Sequence, residues 1–233
     1  NAYCGSESAV GVPDYLPGHA LAGQTIPVYT ISTGTHAIGG SGGTCPGISL
    51  SLLSLSYQIR SSIDEMNNQD ADITLNYVGS IAESTVVNGI KIGAACSGEG
   101  LPDRAIAAVS GNSIRLKGDA SAPIWTTAPI TDAVHNPGTV SIRTVLLHEI
   151  GHVLGLNHIE DSATCSGTGV ETDGDTNQDG LMNSAYPYGE EIQEPRKADL
   201  WPLRGIWGSR QDSLVGWDSA NGDPNTWSAL AVP

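Results

Sequence analysis

The sequence contains no phenylalanine, so its aromatic burial falls to five tryptophans and seven tyrosines. Charge is also scarce, at 15% of residues, and cations are the scarcer sign: 10 Lys+Arg against 25 Asp+Glu give a net charge of −15. So acidic a chain repels phosphate backbones, which excludes nucleic acid as a partner. No apolar run approaches the ~18 residues that a helical membrane span needs, so no membrane partner is expected. No two cysteines are spaced as CxxC, which excludes a cysteine zinc site. No internal repeat is present. What remains is a chain of 233 residues, 39% hydrophobic, with 29 Gly and 13 Pro. That is loop-rich, yet long enough for one domain with a real core.

Cys4, Cys45, Cys96 and Cys165 are widely spaced. Four such cysteines fit two disulfides and an oxidising, extracellular compartment. Three pairings are possible, and spacing does not choose among them. Cys4 with Cys165 and Cys45 with Cys96 would staple the chain near its start and in a poorly periodic loop.

Along the chain, Thr25–Ser32 and Asp72–Val78 read as strands, and Arg104–Ser110 and Ser113–Lys117 as a pair around the turn Gly111-Asn112. Ile48, Leu52, Leu55, Ile59, Ile63 and Met66 recur at helical spacing, which predicts a helix from Ile48 to about Asn67. A second helix is predicted near Ser141–Leu154, with Ile142, Val145, Leu146, Ile150 and Val153 as its apolar stripe and Gly155 as its stop. Asp199–Trp207 reads as a short last helix, and 209–233 as a tail or linker.

Across the second helix runs His148-Glu149-Ile150-Gly151-His152-Val153-Leu154-Gly155-Leu156-Asn157-His158. Residues four apart on a helix leave one face, so His148 and His152 can share a metal. A turn at Gly155 would return His158 as a third nitrogen ligand, leaving one zinc position open for water. Glu149, beside the first ligand, is placed to take a proton from that water and pass it to a leaving amine. A distant acid such as Glu171 could replace His158 as third ligand, but the histidine at the right spacing is the simpler choice.

With this motif in view, the chain resembles the metzincin metalloendopeptidases and is most similar to the matrixins. In that family HELGHxLGLxHS precedes a methionine turn and a final helix of pattern DIxxIxxLYG. Here HEIGHVLGLNH precedes Leu181-Met182 and DLWPLRGIWG. NSIRLKGD followed by Trp125-Thr126 is similar to the family's GDIHFD…WT segment. The resemblance implies an α+β, metzincin-type zincin: a twisted mixed sheet with an antiparallel edge strand and two long helices. A small irregular C-terminal subdomain would follow. The catalytic domain would span 1–208, divided near 158 into upper and lower subdomains. Met182 would lie under the metal without ligating it. Ala107, Ala108 and Val109 of the edge strand would hold substrate, with Tyr186, Pro187 and Tyr188 beside the cleft. Two departures stand out: Ile159 replaces the serine after the third histidine, and MNSAYPY displaces Tyr186-Pro187 from the matrixin spacing. His19, His36 and His135 are isolated, so no second zinc site is evident.

Between the motif and Met182 lies Asp173-Gly-Asp175-Thr-Asn177-Gln-Asp179-Gly180-Leu181. Oxygens at alternate positions, with Gly at the sixth from Asp175, suit calcium. Asp173, Asp175, Asn177, Asp179 and the Leu181 carbonyl are the expected ligands; the alternative is a solvated acidic loop.

The expectation is therefore a secreted, monomeric zinc endopeptidase, with calcium as a second ion and proteins or peptides as substrates. The alternative is a non-catalytic metal-dependent binding module, for which the intact Glu149 has no use. If both disulfides are present, thiol titration of denatured, unreduced protein should find no free thiol, and reduction should release all four.

Overall fold

The computed structural model describes residues 23–40, 46–69, 71–95, 101, 105–119, 121–127, 139–156, 181–182, 203 and 207. Strands β1 (Gln24–Thr33), β2 (Ile73–Ala82), β3 (Ile90–Ala95), β4 (Ala107–Ser110) and β5 (Ser113–Lys117) form one sheet in the order β2-β1-β3-β5-β4. All its ladders are parallel except β4 with β5. Parallel neighbours need a crossover, and α1 (Leu52–Asn67) supplies it between β1 and β2. Strands β6 (Ile124–Thr126) and β7 (Thr139–Ser141) make a short parallel pair that leads into α2 (Ile142–Val153). This is the α+β architecture expected, a mixed sheet with an antiparallel edge strand and two helices.

Local chemistry explains where the helices begin. Ser51 caps α1 by accepting from the Ser54 N–H at 3.1 Å, and Ser141 caps α2 by accepting from the Thr144 N–H at 3.3 Å. Helix α1 buries one stripe: Leu55, Gln58, Ile59, Ser62, Ile63 and Met66. It starts four residues later than expected. Ile48 is buried, but from the loop before the helix, where its N–H bonds Ile38 O; Leu52, expected in the stripe, is 62% exposed. Helix α2 is covered on nearly every side, and only Arg143 and His152 of its residues are not buried. It packs against α1, β4, β5 and β7, with Arg143 3.6 Å from Glu65 of α1.

Three strands were not expected. β3 (IKIGAA) lies mid-sheet and is almost wholly buried, so it shows no alternation of polar and apolar residues. β6 and β7 have three residues each, too few for a periodic signal. β2 runs four residues beyond the expected Val78, because the ladder pairs Val28 with Tyr77 and Tyr29 with Gly79. Val78 is thus the extra residue of a bulge, and the strand continues past it. The edge strand starts at Ala107; Arg104 lies outside the described residues, as do His19, His135 and the four cysteines. Of the expected last helix, Leu203 and Trp207 are described, both helical in backbone and both buried.

His36, isolated in sequence, is paired in space. Its ring Nδ1 hydrogen-bonds the Glu83 carboxylate, and its backbone N–H donates to Glu83 Oε2 at 3.1 Å. Arg115 of β5 stands 3.6 Å from the same carboxylate. His36 follows β1 and Glu83 follows β2, so the contact ties two neighbouring strand ends together. Burial pushes the Glu83 carboxyl up, but the His36 hydrogen bonds and the charges of His36 and Arg115 outweigh it and hold the group below its ordinary range. A carboxyl held low stabilises the fold above its unfolded pKa, and that stability is lost as pH falls through the folded value. Glu83→Gln should cost about 1 kcal/mol near neutral pH. Urea unfolding of both proteins should show this gap closing as pH is lowered to about 3.

Candidate metal centre

The centre is built on the last two turns of α2. His148 and His152 are one turn apart, with ring centroids separated by 4.5 Å and planes at 88°. Each ring is tied at Nδ1 to a backbone carbonyl: His148 to Leu181 O at 2.6 Å, and His152 to Leu156 O at 2.8 Å. A carbonyl can only accept, so both Nδ1 atoms carry the proton and both lone pairs sit on Nε2. An imidazole anchored through Nδ1 to a carbonyl is how proteins orient metal-ligating histidines. Two borderline-soft nitrogens on one helical face suit zinc.

Glu149 shares this buried end of the helix, at 5% exposure. Its Oε2 is buried and has no hydrogen-bond partner, and burial pushes the carboxyl pKa up to about 8. An orphaned carboxylate oxygen beside two anchored imidazoles is an energetic liability unless a cation or a water completes the site. A divalent cation nearby would favour the ionised form and remove that liability. The residues present therefore fit the metal.

Two residues beneath the helix complete its surroundings. Leu181 and Met182 are fully buried. Met182 lies under Gly151, where an added Cβ would stand 2.6 Å from its Sδ and 3.3 Å from Leu156 Cδ1. Gly151 thus lets the methionine approach the helix between the two histidines. The Leu181 carbonyl, expected among the calcium ligands, accepts from His148. The acceptors Leu181 O and Leu156 O, and the contact of Trp207 with this helix end, were not foreseen. Backbone acceptors carry no side-chain signature, so only the fold could reveal them. His158, Glu171, Asp173, Asp175, Asn177, Asp179, Tyr186, Pro187 and Tyr188 lie outside the described residues. Ala107, Ala108 and Val109 lie on β4, the antiparallel edge of the sheet.

The mixed sheet and two helices give an α+β scaffold, with His148, Glu149 and His152 on α2 as the candidate centre. The family model described as Matrixin matches residues 56–166, a span from within α1 to beyond the histidine motif. That span is similar to the matrixins, a metzincin family of zinc-dependent peptidases, hydrolases that act on proteins or peptides. No curated protein matches the chain. Matrixins are typically secreted or extracellular, and among the described residues no helix is long and apolar enough to cross a membrane.

The Gly151–Met182 contact has a direct test. In an open helix Gly→Ala stabilises by about 1 kcal/mol. Here the added methyl meets Met182, so Gly151→Ala should destabilise by about 1–3 kcal/mol. In a Met182→Ala background the same change should be neutral or favourable, which a double-mutant cycle by thermal unfolding would measure.

Proposed function

We propose that the chain is a secreted, monomeric zinc endopeptidase in which His148, His152 and His158 hold the metal and Glu149 is the general base. The observation that carries this reading is the buried, partnerless Oε2 of Glu149 on the helix that bears two Nδ1-anchored imidazoles. Zinc, when bound, supplies a Lewis acid that acidifies water and polarises a peptide carbonyl. Glu149 takes a proton from the attacking water and delivers it to the leaving nitrogen. Its apolar surroundings strengthen both transfers, since little solvent competes for the proton. Leu156 O and Leu181 O keep the imidazoles in the Nδ1–H tautomer while this occurs. The edge strand residues Ala107, Ala108 and Val109 offer backbone groups to an extended substrate, with Tyr186, Pro187 and Tyr188 flanking it. The catalytic domain is 1–208, 209–233 is a tail or linker, and the cysteines form two disulfides.

Base and ligands are separable by experiment. Glu149→Gln should keep zinc at wild-type stoichiometry while peptidase activity on casein falls at least ~10²-fold. His158→Ala should lose zinc and activity together. Near wild-type turnover in the first variant, or retained zinc in the second, would refute these assignments.

Calcium at Asp173, Asp175, Asn177 and Asp179 belongs to the same proposal. Unneutralised, the carboxylates of Asp173, Asp175 and Asp179 repel one another in a segment with little apolar content. That segment ends at Leu181, whose carbonyl anchors His148, so ordering it by a cation would also secure the histidine. With zinc held constant, millimolar calcium should raise the melting temperature and protect the segment from proteolysis, and Asp175→Ala should abolish both effects. A melting curve that calcium leaves unchanged would mean a solvated acidic loop.

A further inference from the structure

Helix α2 ends in a turn held from both sides. The Gly155 N–H reaches His152 O at 3.0 Å and the Leu156 N–H reaches Gly151 O at 2.9 Å, with Gly155 at φ +101°. This pair of bonds is the Schellman arrangement, which reverses the chain but leaves other carbonyls of the last turn to find donors. Leu154 O finds one in Trp207, whose indole N–H donates to it at 3.0 Å. Two residues on, Leu156 O accepts a hydrogen bond from His152 Nδ1. The same short turn therefore presents one carbonyl to Trp207 and another to His152. Leu154 and Trp207 are both buried, and a buried carbonyl deprived of its donor drives the backbone to rearrange.

We propose that Trp207 is a positioning residue of the metal centre. Its hydrogen bond to Leu154 O fixes the turn, and the turn keeps Leu156 O on His152 in the orientation that ligation needs. This rests on the reading of His152 as a zinc ligand. Trp125 makes the matched comparison. It is equally buried and its indole N–H also donates to a backbone carbonyl at 3.0 Å, but that carbonyl belongs to Lys117 at the end of β5. Losing either indole N–H should cost similar stability, while only Trp207 touches the turn.

The test compares zinc dissociation constants of wild type, Trp207→Phe and Trp125→Phe by competition with a chromophoric chelator. Trp207→Phe should weaken zinc about tenfold and Trp125→Phe by less than about twofold, tenfold being the low end for residues that support ligands. In the zinc-loaded protein the His152 imidazole N–H should exchange with solvent faster in Trp207→Phe and not in Trp125→Phe. Equal zinc affinities in the two variants would overturn the proposal. A wild-type chain that takes up no zinc would overturn the ligand reading beneath it, and would do so before any variant is compared. Coupling is reciprocal, so the wild type alone gives an answer should Trp207→Phe not fold. Zinc should slow solvent exchange of the Trp207 indole N–H about tenfold more than that of Trp125, the factor matching the affinity loss. Equal slowing of the two indoles would refute the role.

Discussion

Helix α2 has to carry a buried imidazole, His148, a half-buried one, His152, and a buried carboxylate, Glu149, against an apolar core. Each is a group that burial penalises unless it is hydrogen-bonded or neutralised. The surrounding structure answers one group at a time. Leu181 O meets His148 and Leu156 O meets His152, while Glu149 keeps an oxygen without a partner. The histidines are thus settled by the protein itself, and the carboxylate is left needing something from outside it. That asymmetry accords with the proposed role of Glu149 as the reactive group between two supported imidazoles.

The supports come from distant parts of the chain. Leu156 belongs to the turn that Gly155 makes possible, Leu181 to the segment that ends the acidic stretch, and Trp207 to the region after it. All three converge on the C-terminal half of α2, where Gly151 leaves space for Met182. The sheet does the remaining work by holding α2 still. β4, β5 and α1 all pack against the helix that carries His148 and His152. The His36–Glu83 contact closes the strand ends on which this platform rests.

The edges of the sheet differ in kind. β4, at one edge, is antiparallel and short; β2, at the other, is long, uncharged and interrupted by the bulge at Val78. A bulge twists an edge strand and discourages pairing with another copy. β4 has no such device, which accords with a proposed role in receiving an extended substrate.

Much of this was legible in the sequence. The placing of His148 and His152 on one face of α2, with the turn at Gly155 after them, was legible because a helix repeats its faces every three to four residues and a glycine can reverse the chain. The stripe from Leu55 to Met66 and the helix beginning near Ser141 were local facts and were read locally. The start of α1, the strand β3 and the continuation of β2 through its bulge were not legible. Ile48 is buried as part of a loop, β3 has no solvent face to create alternation, and a bulge is defined only by the strand opposite. The supports of the two histidines were the least visible of all, since every peptide unit offers the same carbonyl. The sequence alone determined that two imidazoles and a carboxylate would lie on one helix, because their spacing is local. Only the tertiary structure decided which backbone groups would hold them, because that depends on residues 4, 33 and 53 positions away coming into hydrogen-bond contact.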